Sequence, residues 1–304
     1  MVSVNGPSLF GRDGFAPGDR KIASLKIAFT LTAITMKSLR SFLAVNQIRP
    51  LFIGTIHLRP LPGSPRWDGD MTAVIKAAVR DAAAYEHGGA DAIVVENFGD
   101  IPFTKGSVPP ETVAAMAAAG CAVRSAVSLP LGFNVLRNDA HAALALCAAC
   151  GGSFIRVNVH TGAMVTDQGV IEGQAFATLR LRASLCPTVK ILADVHVKHA
   201  APLAPLLIEI AARDTLERGL ADALIVSGTG TGVAAELANV ERVRAACPSS
   251  VVLIGSGITV KNAGSFLSHA SGVIVGTSLK KPGGILQPVD VRRVSALRRA
   301  MTGR

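Results

Sequence analysis

Asp194, His196 and Lys198 occupy every second position of ILADVHVKHA (191–200). Side chains alternate between faces in an extended chain, so this spacing predicts an acid, an imidazole and an amine on one face. Such groups are costly to bury without partners or a ligand. A carboxylate beside an imidazole can move a proton or hold a divalent metal. A lysine can pair with phosphate, steady a carboxylate, or form a Schiff base when its pKa is lowered. Further polar residues end other apolar runs: His57, Glu96 with Asn97, Asn134, Asn158 with His160, and Ser227. The catalytic candidates are therefore Asp194, His196, Glu96, Lys198 and His57. Asn97, Asn134, Asn158, His160 and Ser227 suit the hydroxyls of a sugar. Glu96, Asp194 and His196 are also the candidate metal ligands. The sequence names no cofactor and leaves a divalent metal open. Arg156 shares the strand parity of Asn158 and His160 but lies deeper, where an ion pair with Glu96 competes with ligand binding.

Two glycine turns add an anion-binding signal. GSGIT (255–259) and GTSLK (276–280) end the last two apolar runs. Glycine allows close backbone approach, and successive N–H groups in such turns form a concavity for an anion. Gly255, Gly257, Gly276 and Thr277 are the expected phosphate contacts, with Thr259 capping a short helix from Val260. The same glycines could instead relieve crowding at strand ends. SGTGTG (227–232) offers a third wall or a hinge.

The elements that must position these groups alternate from residue 51 onward. Apolar runs suited to strands begin near residues 51, 90, 129, 154, 189, 221, 251 and 272. Helical runs fall near 71–87, 110–127, 139–150, 171–185, 203–218, 233–246, 260–268 and 288–301, with Asp70 and Asn138 as caps and Gly88 and Gly151 as stops. Eight such pairs over about 250 residues predict an α/β (β/α)8 TIM barrel. A doubly wound open sheet would place a glycine-rich turn after its first strand, where this chain reads HLRPLPGSP. Barrel function collects at the C-terminal mouth of the strands, so the polar strand ends need not lie in the core.

Composition narrows the function classes. The 304 residues are 49% hydrophobic with a formal net charge of +10. That charge sits at the ends: residues 1–49 carry +5, residues 279–304 carry +6, and the body between them −1. No zinc finger, RNA-recognition motif or basic heptad helix appears, so no nucleic acid is expected. Five cysteines make no secreted disulfide framework in a chain of this length, and Cys147 and Cys150 read as buried helix cysteines. No apolar segment reaches the ~20 residues of a membrane span. Residues 1–35 form an N-terminal extension, read as a tail, an upstream start before Met36, or an organellar presequence. The barrel is expected over 36–304 in the cytoplasm, or in a mitochondrion or plastid if 1–35 is a targeting segment.

The motifs HLRPLPGSPRW (57–67), VENFGDIPF (95–103), LGFNVLRNDA (131–140), IRVNVHTGAMVTDQGVIEG (155–173), ILADVHVKHA (191–200), ADALIVSG (221–228) and IVGTSLKK (274–281) together resemble the BtpA/SgcQ family. The resemblance runs from about residue 36 to 288. It implies a TIM barrel of the ribulose-phosphate-binding type and links some members to photosystem I biogenesis, without supplying an agreed catalytic set. Two functions follow as expectations. One is an enzyme on a phosphorylated sugar or similar anion, with isomerase, epimerase or lyase chemistry. The other is a non-catalytic assembly or stability factor for a membrane complex, touching the membrane peripherally through basic ends such as VRRVSALRRAMTGR (291–304). A homo-oligomer is expected in either case.

Overall fold

Successive strand residues face alternately into the barrel and out toward the helices, and this alternation organises the whole molecule. The computed structural model describes residue 43 and residues 49–303. The expected 1–35 extension and the barrel start at 36 lie outside the described residues. Eight parallel strands close in the order β1–β11–β10–β9–β7–β4–β3–β2. They are β1 (Leu51–His57), β2 (Ala92–Glu96), β3 (Leu131–Asn134), β4 (Phe154–Val157), β7 (Lys190–Val195), β9 (Ala223–Val226), β10 (Val252–Ile254) and β11 (Gly272–Val275). The expected (β/α)8 barrel is the observed fold.

Two apolar layers follow from the alternation. Leu51, Ile53, Ala92, Val94, Phe154, Leu192, Ala223, Ile225, Leu253 and Ile274 fill the barrel interior. The alternate residues, among them Phe52, Ile93, Phe133, Ile155 and Ile191, pack under the helices in the larger core. Continuing the inward parity toward the strand ends gives Thr55 and His57, Glu96, Asn134, Arg156, Asp194, Ser227, Gly255 and Gly276. The interior is therefore apolar at its floor and polar at its C-terminal mouth.

The helices are α1 (Met71–His87), α2 (Pro110–Ala126), α3 (Ala140–Cys150), α4 (Ala175–Leu185), α5 (Ile208–Arg213), α6 (Leu237–Ala246), α7 (Ala263–Leu267) and α8 (Val291–Thr302). Asp70 caps α1 by accepting the Ala73 N–H, and Gly88 ends it. At α3 the cap is Asp139, which accepts from Ala142, and not Asn138 as expected. The Asn138 amide both donates and accepts, and it spends both functions on the backbone of Val159. Gly151 ends α3 with a positive φ of 68°, and Cys147 and Cys150 are buried within it.

The run expected as one helix over 171–185 is split. Residues Gly169–Glu172 (β6) pair antiparallel with Ala163–Thr166 (β5), and β5 also pairs with Ala200–Pro202 (β8). The turn from Thr166 to Gly169 holds this hairpin: the Thr166 hydroxyl donates to the Gly169 carbonyl, and Gly169 has φ 99°. Only glycine adopts such a φ readily. The small sheet stands above β4 and β7. The expected 203–218 helix likewise starts late, as α5, and widens into a π-turn over Asp214–Arg218.

Two buried ion-pair groups close the ring. Lys280, just past β11, reaches Asp81 on α1 at 2.7 Å. Arg298 on α8 donates to Asp91 and to the carbonyls of Gly89 and Pro50, so one of the basic residues of the C-terminal helix is internal. Among the described residues no helix is long and apolar enough to cross a membrane.

Gly132 on β3 marks how tightly the barrel interior is filled. A Cβ there would lie 2.3 Å from the Phe154 ring. Gly132→Ala is expected to destabilise the fold by about 1–3 kcal/mol through overpacking, read as a lower urea midpoint at unchanged m-value.

Candidate functional site

Arg156 occupies the centre of the polar layer and organises it. Its Nε and Nη2 donate to the two Asp194 oxygens, each at 2.9 Å. Asp194 also accepts from the Ser227 hydroxyl at 2.9 Å and from the Asn158 amide at 3.3 Å. The Asn134 amide in turn donates to the Asn158 side chain and to the Arg156 carbonyl. The expected partner of Arg156 was Glu96; the structure gives Asp194 instead, on the neighbouring strand β7. Four donors occupy the Asp194 carboxylate, so it positions Arg156 rather than standing free to take a proton. Ser227, Asn134 and Asn158 belong to the same network.

Above this layer lies a cavity of about 250 Å³. Glu96, His57, Lys198 and Arg156 line it together with the two glycine loops. Glu96 ends β2 directly opposite His57 of β1 in register. Its carboxylate accepts no hydrogen bond among the described residues, yet its charge acts on both Arg156 and Lys198. The Lys198 ammonium is equally without a hydrogen bond or ion pair there. Burial and the nearby Arg156 charge lower its pKa, against the pull of Glu96 and Asp194.

His57 is held neutral. Burial first, then the charges of Lys280, Lys198 and Arg156, push its pKa well below the ordinary 6.5. Its Nδ1 is buried without a partner, and its ring lies 4.9 Å from that of Phe98. Gly276 faces this ring so closely that a Cβ would fall 2.5 Å from His57 Cε1.

The glycine loops form the rest of the wall. Gly255, Ser256, Gly257, Ile258 and Thr259 follow β10, and Gly276, Thr277 and Ser278 follow β11. The N–H groups of Ser256, Gly257 and Ile258 donate to no acceptor among the described residues. Gly257 has φ 70°, and a Cβ there would meet the Ala234 backbone at 2.2 Å. Crowding thus requires glycine at these positions whether or not a ligand does. The Ser278 hydroxyl joins the two loops by donating to the Ile258 carbonyl at 2.6 Å. The Ser256 hydroxyl bridges to the third loop, accepting the Gly228 N–H and donating to the Val233 carbonyl. Thr231 and Gly232 of SGTGTG complete the lining. Thr259 does not cap a helix from Val260: α7 starts at Ala263, and Thr259 instead donates its N–H to Asn262 Oδ1.

Several candidates lie elsewhere. β7 ends at Val195, and His196 takes φ 51° in the left-handed region. That turn breaks the alternation, so Asp194, His196 and Lys198 do not share a face. Lys198 reaches the mouth, whereas His196 lines a smaller cavity of about 60 Å³ with Asn158, Asp194, Asp214 and Thr215. His160 is buried against the Gly219 carbonyl at 2.8 Å, outside the mouth. Asn97 accepts the Leu136 N–H at 2.7 Å and donates toward Asp100, bracing the loops after β2 and β3. Glu96, Asp194 and His196 do not converge on one point, and among the described residues no group of three or more His, Cys, Asp or Glu side chains could hold a metal ion.

Sequence reasoning missed Ser256, Thr231 and Arg137. Ser256 lies inside the quoted GSGIT turn, and Arg137 lies three residues beyond the asparagine that ends β3, as Lys198 lies three beyond the end of β7.

A family model described as the BtpA family matches residues 48–303. The photosystem I biogenesis protein BtpA of Synechocystis is 50% identical over 249 residues, covering 82% of this chain and 87% of that protein. An uncharacterized protein of Pyrococcus furiosus is 48% identical over 250 residues, covering 82% and 93%. An uncharacterized mitochondrial protein of Caenorhabditis elegans is 36% identical over 259 residues, covering 83% and 92%. Among solved structures, N-(5'-phosphoribosyl)anthranilate isomerase from Pyrococcus furiosus superposes with a TM-score of 0.52 at 12% identity, covering 84% of this chain and all of that one. Tryptophan synthase from M. tuberculosis gives 0.54 at 17%, covering 88% and 97%. At such identities these two likenesses speak to the barrel fold alone.

The network separates structural from reactive groups. Asp194→Asn leaves the Arg156 charge buried and short of its partner, so it is expected to cost about 3–5 kcal/mol. Glu96→Gln removes a carboxylate that has no hydrogen bond and is expected to leave stability unchanged or raised; chemical denaturation of both variants checks this.

Stability should also depend on pH. His57, His160, His196 and His199 all have pKa values lowered first by burial. Unfolded imidazoles take up protons as pH falls through about 6.5 while these folded ones resist, so the native state loses stability below that pH and not above it. The urea midpoint is expected to drop between pH 7.5 and 5.5, and to drop less in His57→Gln.

Proposed function

This chain belongs to the BtpA family, and on that premise we propose that its barrel binds a phosphorylated sugar or similar small anion and moves a proton on it. One observation carries the reading. A single cavity brings two glycine loops with free N–H groups against a carboxylate and an ammonium that have no hydrogen-bond partners among the described residues. Phosphate takes the loop wall, where Ser256, Gly257 and Ile258 offer N–H donors and Thr277 and Ser278 lie alongside. The carbon skeleton then lies between that wall and Glu96.

Glu96 is the base in this scheme. It takes a proton from a carbon beside a carbonyl, and the C–H electron pair moves into the carbonyl to form an enolate. Lys198 stabilises the oxygen charge by pairing with it, and neutral His57 donates a hydrogen bond to that oxygen. On an α-hydroxy carbonyl, Glu96 returning the proton to the former carbonyl carbon while His57 passes the hydroxyl proton from one oxygen to the other gives isomerisation; a proton delivered to the opposite face of the original carbon gives epimerisation. Asp194 acts through Arg156, holding its charge at the cavity floor.

A second reading is an assembly factor for a membrane complex. The name of the Synechocystis relative favours it, as do the exposed Arg292 and Arg293 on α8. Salt-sensitive binding to vesicles of anionic lipid, lost in Arg292→Glu/Arg293→Glu, would support that role.

The enzymatic reading predicts that inorganic phosphate and a panel of sugar phosphates raise the melting temperature. For the turned-over compound, Glu96→Gln should lower kcat by roughly 10²–10⁴-fold and keep the phosphate-dependent thermal shift. A protein whose melting temperature responds to none of these phosphates would overturn the reading.

A further inference from the structure

A second cavity, of about 620 Å³, adjoins the phosphate loops and shares Glu96, Lys198 and Thr231 with the first. Its walls differ in kind. Phe98, Ile101, Pro102, Phe103 and Leu136 give it an apolar wall, and Asp167 and His199 line it as well; the Phe98 and Phe103 rings lie edge to face at 6.3 Å. Arg137 is set into this wall and is only 3% exposed.

The Arg137 guanidinium is incompletely satisfied. Its Nη2 donates to the Lys198 carbonyl, while its Nε is buried without a partner. No carboxylate pairs with it among the described residues: Asp194, Asp167 and Glu96 act on it only at longer range, and Arg156 opposes them. A buried cation without a counter-ion is costly. Its planar fork matches the two oxygens of a carboxylate. The volume of the cavity accommodates a ring beside Arg137 and the shared Glu96–Lys198 edge, and aromatic walls favour an aromatic body.

The geometry points to a ligand that is anionic at both ends: a phosphate monoester whose other end is an aromatic carboxylate, the carboxylate held by Arg137 and the ring lying against Phe98 and Phe103. This deepens the phosphate reading and rests on it for one end only. The reacting carbon would then sit at the junction of the two cavities, beside Glu96 and Lys198. A single carboxylate matches one guanidinium better than a second phosphate, whose extra negative charge would lie against Asp167 in the same lining.

Calorimetric titration of the full chain with three probes tests this: inorganic phosphate, 4-carboxybenzyl phosphate, and the methyl ester of the latter. The free acid is expected to bind at least roughly tenfold more tightly than the ester, the scale of one charge-assisted bidentate contact. That preference should vanish in Arg137→Met and survive in part in Arg137→Lys, with inorganic phosphate binding unchanged in all three proteins. If phosphate binds but acid and ester bind alike, the Arg137 assignment is overturned and the phosphate site stands. If phosphate fails to bind while the acid still beats the ester, the phosphate end is wrong and the carboxylate end holds. Should Arg137→Met not fold, the acid-to-ester ratio in the wild type and in Arg137→Lys decides.

Discussion

A charged guanidinium inside a closed barrel is the constraint on which the rest of this site depends. Arg156 cannot reach water, so the fold must neutralise it, and Asp194 does so with two hydrogen bonds on the adjacent strand. Satisfying Asp194 then recruits Ser227 and Asn158, and satisfying Asn158 recruits Asn134. The desolvation of two such ions offsets much of their attraction, so the gain from the pair lies in position more than in stability. It fixes a cation at the floor of the cavity.

That settlement leaves Glu96 and Lys198 as charged groups facing the cavity without hydrogen bonds among the described residues. They line one cavity together with neutral His57 and the glycine loops. The neutrality of His57 has the same origin as the pairing of Arg156: burial disfavours charge, and three surrounding cations disfavour a fourth. A site with one free acid, one free amine and one neutral imidazole is suited to moving protons without carrying excess charge of its own.

Backbone conformation decides which side chains reach that site. After β7 the chain turns through positive φ at His196 and again at His199, a conformation that costs non-glycine residues energy and persists where surrounding structure enforces it. The result sends His196 to one cavity and Lys198 to another. The hairpin of β5 and β6, joined by β8, covers this turn and packs Val159, Met164, Ile171 and Val197 into a small cluster of its own. The loops after β2 and β3, braced by Asn97, carry Phe98, Phe103 and Arg137 over the neighbouring opening.

The sequence by itself determined the barrel, its eight strands, its polar mouth and the two glycine loops. Each of these is written in local periodicity: alternating strands with polar tips, Asp70 and Gly88 around a helix, and small residues where backbone must approach backbone. It also determined that Glu96 and His57 would meet, because each ends a strand whose inward parity is legible, whereas Lys198 reaches them through the left-handed turn at His196. Only the tertiary structure decided that Asp194 serves Arg156, that His196 and His160 leave the mouth, and that Arg137 enters the adjoining cavity. Those outcomes depend on which neighbour a buried charge finds across strands far apart in sequence, and on a left-handed turn at a histidine that no local pattern announces.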